Sequence, residues 1–155
     1  MKRSIGATVV TASLLAIAVA AWSDARPRSG SHAGRVVTVI EHATTDATTD
    51  TGAPGDSAGD ILTFANEVFD AGDREKVGSD QGYCIRTVAG SSYECNWTTL
   101  LPDGQITVQG PFFDAGDSTL AITGGTGRYR HARGTMDLKS RANGTEFEFV
   151  FHLVS

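Results

Sequence analysis

Gly124-Gly125-Thr126-Gly127-Arg128-Tyr129-Arg130-His131-Ala132-Arg133-Gly134, preceded by Ile106-Thr107-Val108-Gln109-Gly110-Pro111-Phe112, decides the reading of this chain. The glycine run follows a strand-like stretch, Leu120-Ala121-Ile122-Thr123, and leads into another one. A phosphate cradle needs a glycine turn that opens a helix, with a Lys-Ser/Thr element after it, and neither is present. The glycines therefore read as a tight turn or bulge that curves a sheet, because Gly adopts backbone angles that other residues resist.

Working outward, turn signals recur at the close spacing of an all-β barrel or sandwich. Leu62–Phe69 reads as one strand, ended by Asp70-Ala71-Gly72-Asp73. Gly82–Val88 and Tyr93–Leu101 are joined through Ala89-Gly90-Ser91-Ser92. Asp103-Gly104 is a two-residue hairpin signal that predicts Leu101 opposite Ile106 and Thr99 opposite Val108. A turn at Asn143-Gly144 predicts Leu138 opposite Phe149 and Met136 opposite Phe151, with Asp137, Lys139 and Glu148 sharing the other face. Outside the N-terminal apolar run, no segment reads as a helix of ordinary length. The expected fold is all-β, a single antiparallel up-and-down barrel of about eight strands, the size at which a closed sheet encloses a small ligand.

The N-terminus carries Lys2 and Arg3, an apolar run from Ile5 to Ala21, and the small residues Ala18-Val19-Ala20. These are the three parts of a secretory signal peptide, predicted here over residues 1–21. The small and hydroxyl residues in the run, and the lack of a cationic flank before Arg26 and Arg28, set it apart from a transmembrane anchor. Residues 22–34 read as a flexible leader and residues 35–155 as the barrel domain. The predicted location is extracellular, with no membrane attachment after cleavage. Cleavage after Ala20 removes Lys2 and Arg3, so a formal charge of -5 becomes -7. Apart from Arg128, Arg130, His131 and Arg133 no basic face emerges, which excludes nucleic acid as a natural partner. Arg35–Glu41 is a β-branched strand, whereas His42–Asp60 turns to Thr, Asp, Ala and Gly and reads as a long loop or flap, either a lid or a plain disordered connection.

The glycine stretch GGTGRYRHARG resembles the GGTG-x-F-x-x-ARG run of dirigent proteins, and ITVQGPF resembles the VQGPY segment of allene oxide cyclases. The resemblance runs from about Leu62 to Leu153. It implies one small antiparallel barrel around a cavity, assembly as a homotrimer, and a hydrophobic small molecule as partner. The activity it implies is that of a cofactor-free cyclase or isomerase; the alternative is a non-catalytic dirigent-like or lipocalin-like binding protein. By the same resemblance Glu41, on the first strand, corresponds to a pocket glutamate that stabilises charge as an epoxide opens. Asn66, in Phe64-Ala65-Asn66, corresponds to an asparagine holding a buried water. Cys84, in Gly82-Tyr83-Cys84, corresponds to a cavity cysteine. The family's proline soon after the glutamate has no counterpart here, since Pro54 follows a loop of different length.

The residues themselves leave choices open at each of these positions. Glu41 is either a desolvated carboxyl inside the barrel, with a raised pKa that suits it to proton or charge chemistry, or an ordinary carboxylate at a strand end. Asn66 is either a pocket amide or a satisfier of backbone groups at a bulge. Cys84 is a cavity thiol or half of a disulfide with Cys95, its near neighbour across the hairpin. Phe64, Trp97, Phe149 and Phe151, with Phe147, read as barrel packing or as the apolar wall of a pocket. The sequence shows no serine nucleophile motif and no metal-binding spacing, His32, His42, His131 and His152 being scattered along it. No cofactor is called for.

Overall fold

The computed structural model describes residues 34–154; the expected signal peptide and nearly all of the expected leader lie outside the described residues. Ten strands form one antiparallel sheet: β1 (Arg35–His42), β2 (Ala47–Thr49), β3 (Ile61–Phe64), β4 (Glu67–Phe69), β5 (Lys76–Val88), β6 (Ser92–Leu101), β7 (Gly104–Phe113), β8 (Ser118–Gly125), β9 (Gly134–Arg141) and β10 (Glu146–Leu153). β10 pairs with β1 and each strand from β5 to β10 pairs with its sequence neighbour, while β4 closes the ring between β1 and β5. β3 and β4 are one stave. Phe64 faces Gly82 and Glu67 faces Ser79 in an uninterrupted register, and between them Asn66 and Asp80 exchange two main-chain hydrogen bonds of 3.0 and 2.9 Å. The result is a closed up-and-down barrel of eight staves. β2 lies outside the ring, paired only with β3.

Two-residue alternation sends one side chain in two inward. On β1 the inward residues are Val37, Val39 and Glu41, opposite Phe151, Phe149 and Phe147 of β10. On β5 they are Asp80, Gly82, Cys84 and Arg86, opposite Thr99, Trp97, Cys95 and Tyr93 of β6. Gly82 makes room for Trp97: a Cβ there would run into the Cα and Cβ of Trp97 and the carbonyl of Asn96. The core below the cavity is built from Val39, Val68, Ile106, Val108, Leu120, Met136 and Phe151, all nearly or fully buried.

The last hairpin has the register its hydrophobic pattern predicts, Leu138 facing Phe149 and Met136 facing Phe151. Its turn, however, spans four residues between Arg141 and Glu146, with Asn143 and Gly144 both at positive φ. The β6–β7 hairpin departs from expectation. Its turn is Pro102-Asp103, so Leu101 faces Gly104, Thr99 faces Ile106 and Trp97 faces Val108. The pairing shifts by two residues, which preserves the faces, so the core set is unchanged. The reason is the glycine run, which packs on this turn: Arg128 donates its backbone N–H to Asp103 O at 2.8 Å, and Thr126 donates to Gln105 O at 2.9 Å. Gly127, at φ 56°, lies so close that a Cβ would strike Asp103 O. Just before the run, the β7–β8 register slips between Thr107 and Val108, leaving Thr123 as the extra residue of a bulge.

Candidate functional site

A cavity of about 510 Å³ occupies the barrel end ringed by loops 43–60, 114–117 and 142–145. Its walls are aromatic, with Phe64, Tyr93, Trp97, Phe112, Phe147 and Phe149, and its polar groups include Glu41, Asp46, Arg86 and Asp114. The rings touch one another: Trp97 packs at 5.4 Å from Phe149 and edge-on to Phe64, and Phe112 packs edge-on to Phe147 at 5.8 Å. Three of the four aromatics expected at a pocket, Phe64, Trp97 and Phe149, line it. Phe151 does not. One inward position further down β10, it is fully buried in the core and meets Phe149 edge-on at 6.4 Å.

Glu41 and Asn66 come together at this cavity. Alternation along β1 turns Glu41 inward, where it is 5 % exposed, and Asn66, on the seam between β3 and β4, donates Nδ2–H to Glu41 Oε1 at 2.7 Å. The other Nδ2 proton goes to Asp46 Oδ1 at 2.8 Å, in the loop between β1 and β2. Asn66 Oδ1 accepts from the backbone N–H groups of Thr44 and Thr45 and from Thr45 Oγ1, at 2.9 to 3.1 Å. One amide thus both orients the buried carboxyl and ties the flap to the barrel. It is fully used, with two donors and a thrice-occupied acceptor.

Behind Glu41, away from the cavity lining, lies Asp80, 1 % exposed and hydrogen-bonded to Glu41. Burial, reinforced by the charge and hydrogen bond of Glu41, pushes the Asp80 carboxyl up to about 9. Burial is also the largest influence on Glu41 and the Asp46 charge adds to it; the hydrogen bonds from Asn66 and Asp80 offset part of that, and Glu41 settles at about 7. Two carboxylates in contact cannot both be ionised in a dry site, so the pair holds a proton between them at neutral pH. Asp80 Oδ2 is buried with no donor among the described residues, which a proton shared between the two carboxyls relieves. Asp80 and Asp46 are absent from the sequence-level candidates because neither belongs to a motif. Asp80 sits inside a long polar strand, and only closure of the barrel places it against β1.

Cys84 and Cys95 are directly opposite on β5 and β6, joined in a disulfide, and both line the cavity. Cys84 is therefore a wall residue without a free thiol, both cavity member and half-cystine. Above it, Arg86 is 8 % exposed and engaged on three sides. Its Nη1 donates to both Asp114 oxygens at 2.7 and 2.8 Å, and its guanidinium lies 3.6 Å from the Tyr93 ring centre. Its Nε is 2.6 Å from Asp56 Oδ1 but off the N–H axis, a charge contact rather than a hydrogen bond. Asp60 orders the same loop by accepting from the backbone N–H groups of Thr51 and Ser57 at 3.0 and 2.8 Å. Loop 43–60 is thus a folded flap. On the outside of β1, closure also brings His42, Asp73 and Glu146 together, with His42 Nε2 hydrogen-bonded to Asp73 Oδ1 at 2.7 Å and its ring stacked on Phe69.

Similar solved structures include a pyocyanin demethylase, 27 % identical with a TM-score of 0.69 over 77 % of this chain and 100 % of that one. They also include AbnU, an exo-specific intermolecular Diels-Alderase, at 16 % identity and TM-score 0.61 over 76 % and 95 % of the two chains. The pterocarpan synthase dirigent protein PsPTS1 matches at 17 % identity and TM-score 0.60 over 80 % and 98 %. The likeness to the last two is one of fold. Residues 37–151 match the family model of the allene oxide cyclase barrel-like domain, and the chain belongs to that family.

Proposed function

We propose that this chain is an exported enzyme that rearranges a hydrophobic small molecule without a cofactor, as a cyclase or isomerase, with Glu41 as its charge-bearing catalytic residue. The observation that carries this reading is the buried Glu41 carboxyl in the wall of an aromatic cavity, held by Asn66 and backed by Asp80. A buried carboxyl whose pKa is raised toward neutrality suits acid–base chemistry at neutral pH, and such shifted groups cluster at functional sites. The aromatic walls exclude water and hold a flexible molecule folded, and a rearrangement within one molecule needs no co-reactant. Glu41 stabilises positive charge as it develops, or takes a proton and returns it to the same molecule. A homotrimer built on the barrel's outer faces is part of the proposal.

The second reading is a binding or auxiliary protein of dirigent or lipocalin type, and the engagement of Cys84 in a disulfide favours it by removing the thiol from the candidate chemistry. Native mass spectrometry of the protein from its own culture medium identifies a retained molecule, which is then offered to the wild type and to Glu41→Gln. The enzyme reading expects turnover by the wild type, a loss of 100-fold or more on the order of a general acid–base contribution in the variant, and retained binding. Equal turnover by both proteins sinks the role of Glu41; binding with no turnover by either establishes the carrier.

A further inference from the structure

We infer that the cavity selects a hydrophobic cation, an apolar molecule carrying one positive charge, over a neutral or anionic molecule of the same shape. This names the ligand class of the site above and rests on the reading of that cavity as a ligand site.

The four loops at the cavity end, 43–60, 89–91, 114–117 and 142–145, contain Asp46, Asp50, Asp56, Asp60, Asp114 and Asp117 and no Lys, Arg or His. Charges of one sign around a concave, low-dielectric mouth focus the field into it and raise the local concentration of the opposite ion. Inside, Glu41 and Asp46 both reach the lining on the Asn66 side. The lining's one cation, Arg86, is matched by Asp56 and Asp114 and covered by Tyr93, so it offers an incoming carboxylate no unpaired positive group. Arg35, Arg128, Arg130 and His131 border a separate hollow at the opposite end of the barrel, while Arg141, at the cavity end, stands opposite Glu146.

The walls add a second, independent preference. Seven aromatic side chains line the cavity, Tyr93 with its face already taken by Arg86, and aromatic faces attract a desolvated cation. Trp97, 3 % exposed, also lines the cavity with an Nε1–H that finds no acceptor among the described residues. The ligand that satisfies the whole lining is thus apolar in its body, positive near Glu41 and Asp46, and has a hydrogen-bond acceptor within reach of Trp97. A fatty carboxylate fits the apolar walls but meets the acidic mouth with the wrong sign.

The test is calorimetric titration of the whole protein with three matched probes: (2-naphthylmethyl)trimethylammonium, its neutral carbon isostere and 2-naphthylacetate. The expected result is that the cation binds at least tenfold more tightly than the neutral probe and the carboxylate most weakly. The cation-to-neutral ratio should narrow in 1 M salt, and narrow again in Asp46→Asn. Equal affinities for all three probes, or tightest binding of the carboxylate, overturn the charge preference while leaving the ligand cavity standing. Absence of binding by any probe at millimolar concentration overturns both.

Discussion

Asn66, in the stave formed by β3 and β4, faces Asp80 of β5, the two exchanging main-chain hydrogen bonds of 3.0 and 2.9 Å, and both side chains meet Glu41. The backbone pair fixes the height of both groups in the barrel, so the acid site is positioned by the sheet rather than by a loop.

Proton sharing gives the site a pH profile. Glu41 is useful when ionised and Asp80 supports it when protonated, so the pair, titrating at about 7 and about 9, predicts turnover that peaks between those values. Asp80→Asn keeps a neutral hydrogen-bond donor that cannot ionise. It should abolish the alkaline fall in rate and leave the acid limb near its wild-type position, because Asp80 is already neutral when Glu41 ionises. Rate–pH profiles of the two proteins decide this, and identical profiles would show that Asp80 has no part in the titration.

The same two groups make the fold sensitive to alkali. Both carboxyls have raised pKa values in the folded protein, so between about 4 and about 9 the native state binds more protons than the unfolded one. Stability then falls as pH rises, through about 7 for Glu41 and through about 9 for Asp80. The melting temperature should drop from pH 5 to pH 9 in the wild type. In Asp80→Asn the drop should be smaller by about 5 °C or more, taking the usual conversion of stability to melting temperature. Thermal melts across that pH range check it, and parallel curves contradict it.

Fold and site differ in how far the sequence discloses them. The β9–β10 register is readable because Met136, Leu138, Phe149 and Phe151 make an apolar face that one turn length alone aligns. The β6–β7 register is misread because Gly127 and Thr126, twenty-odd residues later, press on the turn and select Pro102-Asp103. Glu41 and Asn66 are visible through short motifs and alternation. Asp80, Asp46 and Arg86 are not, because each acquires its role from a contact across 20 or more residues, as in Asn66 to Asp46 and Arg86 to Asp114.

Reduction should separate stability from chemistry at Cys84. The disulfide closes an 11-residue separation, and losing it in Cys84→Ser/Cys95→Ser should cost about 2–4 kcal/mol of stability by the chain-entropy argument. Turnover below the lowered melting temperature should persist. Denaturant unfolding of oxidised and serine forms gives the first number. An inactive yet folded double variant would return Cys84 to the list of catalytic residues.

Gly82 admits no side chain. In Gly82→Ala the new methyl group meets the backbone of Asn96 and Trp97 rather than a flexible tip, so the strands must part or Trp97 must move. Overpacking of this kind costs about 1–3 kcal/mol. Because Trp97 lines the cavity, ligand affinity should fall along with stability. Tryptophan fluorescence reports both, and an unshifted emission with wild-type affinity would refute the close approach.

The Cys84–Cys95 bond is a covalent rung set into the wall of the ligand chamber. A chamber stapled in this way holds its β5–β6 wall together whatever it contains, and above that wall lies its roof, the flap 43–60 pinned through Asn66, Asp60 and Arg86. A change of ligand range in this lineage would therefore come by rewriting the roof and the aromatic panels beneath it, while the rung holds one wall in place.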